Sequence, residues 1–171
     1  MPPFPQRVSL LYSDRDHCIA VHGCTVLSLS LQPPNPSFLK AWAAAMDRLA
    51  KQAPSICVLT VIDAGARTPD DASRDAIRAT VLRHRQHIGA FAYVIEGRGF
   101  GGAAMRSCLS IISLAARYPF PQQVFANVPG AVAWTLTRMP DSSVTAMTAV
   151  GVGSLLDEMR RQLTPVVAAA G

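Results

Sequence analysis

Two carboxylates, Asp63 and Glu96, have the greatest chemical capacity in this 171-residue chain. Each ends an apolar run, Ile56–Ile62 and Phe91–Ile95, whose β-branched and aromatic residues read as strands buried on both faces. Ligands of open α/β sheets bind beyond the carboxyl ends of the strands. Arg67 and Arg98 follow on the adjoining loops. Asp63, Arg67, Glu96 and Arg98 therefore form a candidate rim for a small anionic or amphipathic molecule. The blander alternative is an ion-pair network that fixes the strand ends. Thr68 and Ser73, in the same stretch after Asp63, complete the candidate rim.

Other constellations argue mostly for absences. Gly97, Gly99 and Gly102 spell a GxGxxG between a strand pattern and a helix pattern, where backbone N–H groups can face a pyrophosphate. The motif sits late in the order of elements, however, and no acid lies about 20 positions on to hold a ribose. His84 and His87 are spaced to share a helix face, but Arg83 and Arg85 beside them oppose a cation, and neither HExxH nor CxxC occurs. No GxSxG is present, and Ser107-Cys108 falls in a helical pattern. No catalytic residue, metal site or cofactor is expected.

Arg74, Arg78 and Arg85 are spaced to lie on one outward stripe of a helix, in the most basic element of the chain. Without interleaved aromatics or a nucleic-acid module, the stripe reads as a solvated face or a contact for an acidic partner.

The elements that must position these residues follow from periodicity. Val8–Tyr12, Cys18–His22 and Thr25–Leu31 read as strands, with a turn at Ser13–Asp16 and a tight bend or bulge at Gly23. Leu27, Leu29 and Leu31 alternate with Ser28 and Ser30, which predicts a half-buried strand. After the Pro33–Pro36 stop, Asn35 or Ser37 caps a helix carrying Phe38, Trp42, Met46 and Leu49 on one face. Pro69-Asp70-Asp71 opens a second helix running to about Ile88, where Gly89 ends it. A third is expected over about 101–118. Val124–Val128 is a short strand, Pro129 opens a helix through Leu136, and a final helix, capped by Ser142 or Ser143, runs over about 144–163 with Gly151 and Gly153 inside it.

Half of the residues are apolar, only 16% are charged, and the net charge is +5. That composition excludes a disordered chain, and no apolar run approaches the ~18 residues of a membrane span. The length suits one domain, expected over 7–171 behind a loose lead-in at 1–6. The start lacks the order of a secretory signal, so a reduced, cytoplasmic protein is expected. A Cys18–Cys24 disulfide across the hairpin is the less favoured alternative.

The order β-β-β-α-β-α-β-α-β-α-α predicts one α/β domain in which parallel strands follow an antiparallel hairpin. This order resembles the STAS family of sulphate transporters and anti-sigma-factor antagonists, and more narrowly its divergent bacterial, SpoIIAA-like members. Ala90–Gly97 running into 101–119, and Gln123-Val124-Phe125 running into Pro129–Trp134, carry most of the likeness. It implies a mixed sheet with helices mainly on one side. It also implies a non-enzymatic regulatory or scaffold role through a protein partner, a second copy of the chain included. Phosphorylatable members carry Asp-Ser after a central strand. Here Asp63 is followed by Ala64, so a phosphoserine switch of that type is not expected.

Overall fold

The structure is a computed structural model that describes residues 8–63, 65–97, 103, 106–107, 118–139 and 149–163. The expected lead-in, most of the expected third helix, Arg98 and the capping serines 142 and 143 lie outside the described residues.

Six strands form one sheet in the order β1-β2-β3-β4-β5-β6. β1 (Ser9–Ser13), β2 (His17–His22) and β3 (Thr25–Ser30) pair antiparallel. β4 (Ile56–Asp63), β5 (Ile88–Glu96) and β6 (Gln122–Phe125) then add in parallel. Gly23 makes the β2–β3 turn with φ 57°, a left-handed conformation that a residue without Cβ adopts at no steric cost. The expected hairpin followed by parallel strands is therefore present.

Four helices are described: α1 (Pro36–Ala50), α2 (Asp71–His84), α3 (Val128–Leu136) and α4 (Ala149–Leu163). Of the two cap candidates before α1, Asn35 does the work, its side chain accepting from Phe38 N at 2.8 Å. Asp70 caps α2 through Ser73 N, and Asn127 caps α3 through Gly130 N. Each cap satisfies an N–H group that the first helical turn leaves orphaned.

Strand order advances in one direction from β3 to β5, so right-handed crossovers place α1 and α2 on the same face. Phe38 packs against His17, and Trp42 against Phe91, on that face. The expectation that helices gather on one side holds for these crossover helices. α3 and α4 cover the opposite face, where Leu27, Leu29, Cys57, Leu59 and Val61 are all about 1% exposed or less.

Two sheet expectations are corrected by this double cover. β3 is buried throughout, not half-buried: Ser28 is fully buried and donates to Thr60 Oγ1 at 3.1 Å, which satisfies the hydroxyls beneath α1. The second helix stops at His84, and Ile88 and Gly89 open β5. Ile88 is 4% exposed and is the Cα partner of Ile56, while Ile56 N donates to His87 O at 2.7 Å. Strand pairing and burial of Ile88 outweigh the local helical pattern.

Candidate functional site

Asp63 and Glu96 are register partners at the carboxyl ends of β4 and β5. Parallel neighbours at the same register point to the same face, with the strands about 4.8 Å apart. Their parity is that of Val61 and Leu29, so both belong to the face that α4 covers. The structure thus brings together the two carboxylates that the strand ends suggested.

The cation beside them is Arg160, from the last turn of α4. Its Nη2 donates to Glu96 Oε2 at 2.5 Å, and its Nη1 donates to Asp157 Oδ1 at 3.1 Å. Partial burial works against the charged guanidinium, but Glu96 and Asp157 outweigh it and hold the Arg160 pKa above its ordinary value. Asp63 Oδ1 accepts from Gly65 N at 2.7 Å, which forms the turn after β4. Arg106 Nη1 donates to Ile95 O at 3.2 Å and Gly97 O at 3.3 Å, tying the end of β5.

Between these groups lies a cleft of about 210 Å³ lined by Leu29, Leu31, Asp63, Glu96, Arg160 and Leu163. Among the described residues its floor is lined by leucines and its mouth carries Asp63, Glu96 and Arg160.

The other rim residues fall elsewhere. Arg67 and Thr68 are exposed on the loop toward α2 and do not line the cleft. Ser73 is buried at the start of α2, where its Oγ donates to Pro34 O at 3.2 Å. Arg98 lies outside the described residues. Arg160 was not singled out from sequence; its i−3 partner Asp157 marks a charged helix face, but nothing local marks a contact with Glu96.

α2 presents Arg74, Arg78 and Arg85, all exposed, on one stripe, because spacings of four and seven return to nearly the same side of a helix. Arg74 pairs with Asp71 and donates to Pro69 O, and Arg85 Nη1 donates to Leu82 O at 3.3 Å. Arg83, on another side, reaches Asp47 of α1 at 3.7 Å. Arg78 and Arg85 have no ion-pair partner among the described residues. Leu82, next to them, is 37% exposed.

Among the described residues no three His, Cys, Asp or Glu side chains are placed to hold a metal ion, and no helix is long and apolar enough to cross a membrane. Cys18, Cys24 and Cys57 are buried and are not joined in a disulfide.

An antiparallel hairpin leading a parallel sheet, with helical crossovers, defines the class: an α/β domain built on a mixed sheet. Among solved structures the chain is similar to an uncharacterized protein from the DUF3478 family with a SpoIIAA-like fold from Shewanella loihica PV-4. The two are 12% identical, with a TM-score of 0.48, over 75% of this chain and 91% of that one. No family model matches the chain, and no curated protein matches it.

Proposed function

We propose that this domain is a docking module, of a regulatory or scaffold kind, whose α2 face receives an acidic surface of a partner protein. The observation that carries this reading is the stripe of Arg78 and Arg85, charged, exposed and without an acidic partner among the described residues. Arg74, Arg160 and Arg161, by contrast, each sit on a carboxylate of their own neighbourhood. Exposed Leu82 gives the stripe an apolar centre, the combination of apolar contact and charged rim typical of protein interfaces. Guanidinium groups also match carboxylates in a two-pronged geometry, which favours an acidic partner. The double variant R78E/R85E tests this reading against wild type in affinity capture from source cells, with binding then measured across salt. A partner held by the wild type, released by the variant and weakened by salt is the expected result. Capture unchanged by the double reversal rejects the α2 face. Light scattering of both proteins shows whether the partner is a second copy, and a nucleic acid in the captured material replaces the protein partner.

A second reading rests on the cleft. Its leucine floor, with two carboxylates and one guanidinium at the mouth among the described residues, suits a small amphipathic molecule with an ammonium group. Thermal shift with short alkylamines and with alkyl carboxylates of equal length separates the cases. Stabilisation by the amine alone, abolished by Asp63→Asn, supports it; no shift with either rejects it.

A further inference from the structure

We propose that α2 pairs, antiparallel and about a two-fold axis, with α2 of a second copy of this chain. The inference names the partner of the α2 face and rests on the docking role given to that face above. Val81 and His84 turn the inner side of this helix to the core. Ala72, Asp75, Ala79 and Leu82 are all exposed, and steps of three, four and three residues keep them on one outer seam. Charge is divided along the same helix. Asp71 and Asp75 stand in its first half, whereas Arg78, Arg83 and Arg85 stand in its second half and at its end. Arg74, the cation of the first half, is already paired with Asp71.

A uniformly acidic surface would serve Arg78 and Arg85 but would repel Asp75, which also has no ion-pair partner among the described residues. The surface that answers both signs carries cations opposite Asp75 and acids opposite the arginines. The same helix run backwards is such a surface. Its seam is symmetric about the level of Ile77, with Ala72 and Leu82 at equal distances from it and Asp75 and Ala79 at equal distances within them. Antiparallel pairing about that level sets Ala72 against Leu82 of the second copy, and Asp75 against Ala79 of the second copy. The small Ala79 side chain leaves room for the adjacent Arg78 to reach Asp75 across the seam. Asp71 comes within one helical turn of Arg83 and Arg85 of the second copy.

The two Arg78 side chains approach each other near the axis, and an Asp75 from each helix flanks them. Parallel pairing would instead set acid on acid and arginine on arginine, and would align the two helix dipoles. Because the contact is isologous, Leu82 supplies an apolar contact at both ends of the seam. The 14 residues of α2, at 1.5 Å each, give a contact about 21 Å long. One helix of that length buries less than a standard protein interface, so the dimer is weak and forms at high concentration.

Sedimentation velocity of the full chain at concentrations up to about 1 mM, the range of weak association, tests this at low and high salt. Two variants separate the charges: D71R/D75R makes the outer side of α2 basic, and R78E/R85E makes it acidic. The wild type should dimerise and should dissociate as salt rises. Each variant alone should dimerise at least about tenfold more weakly, because like charges then face each other. An equimolar mixture of the two variants should form a heterodimer, in which opposite charges meet again. A wild type that stays monomeric, a dimer that neither variant weakens, or a mixture without heterodimer overturns the pairing. If D71R/D75R does not fold, D71N/D75N replaces it and should weaken the dimer at low salt; an unchanged dimer overturns the pairing. Failure of the pairing is distinct from failure of the α2 docking face. A monomeric wild type whose captured acidic partner is kept by D71R/D75R and released by R78E/R85E overturns the pairing alone.

Discussion

Glu96 and Arg160 stand 64 residues apart in the chain and meet at 2.5 Å at the mouth of the cleft. The contact joins the end of β5 to the last turn of α4 and adds to the burial of Leu156 and Met159 in holding that helix on the sheet. Both side chains are more than a third exposed, at 34% and 38%, and water screens the pair. Its coupling is expected to be about 0.5–1 kcal/mol, near the upper end for exposed pairs. A double-mutant cycle with Glu96→Gln and Arg160→Gln measures it by chemical denaturation. Strict additivity of the two single changes would mean that the pair does not hold α4.

Gly89 occupies a place where a side chain does not fit. A Cβ there would lie 2.1 Å from Ser55 Oγ and 3.0 Å from Met139 Sδ. Gly89→Ala should therefore destabilise by about 1–3 kcal/mol, as overpacking does. Adding Ser55→Ala removes the nearer obstruction and should restore much of the loss. A harmless Gly89→Ala, or no recovery in the double variant, contradicts this packing.

The same glycine shows where the sequence could be read and where it misled. Local pattern gives Gly89 as a helix terminator, whereas its requirement is the approach of Ser55 and Met139, which are 34 and 50 positions away. The buried strands were legible because continuous apolar runs require cover on both faces, and Asp63 with Glu96 followed because each ends such a run. Ser28 looked solvent-facing because its partner Thr60 belongs to a different strand. Arg160 was not singled out for the same reason: its partner Glu96 is set by tertiary structure, and local spacing does not encode it.

Buried thiols offer a third check. Burial pushes the Cys57 thiol up to about 12, although Thr135 hydrogen-bonds to it, and burial pushes Cys18 up to about 11. The reactive form is the thiolate, so both residues should resist alkylation in the native protein near pH 8 and react only after unfolding. Peptide mass mapping after iodoacetamide treatment, with and without denaturant, reads each cysteine separately. Rapid native labelling of Cys57 would mean that α3 does not seal that face.

His84 gives the acid side of the stability profile. It is 5% exposed between α2 and α1, and its Nε2 lies 3.0 Å from Asp47 Oδ1 without the alignment of a hydrogen bond. Burial lowers its pKa first; Asp47 opposes the shift, while Arg83 and His87 add to it. A histidine whose folded value is depressed favours the unfolded chain once the medium is acid enough to protonate the latter, near ~6.5. Its contribution is complete above that value and is lost as pH falls below it. His84→Gln should flatten the loss of stability on the acid side. Asp47→Asn should steepen it, because the one charge favouring the protonated ring is gone. Urea midpoints from about pH 7 down to about pH 5 measure both effects, spanning the range in which the unfolded histidine gains its charge. Superimposable profiles for the wild type and His84→Gln would show that His84 does not set the acid limit.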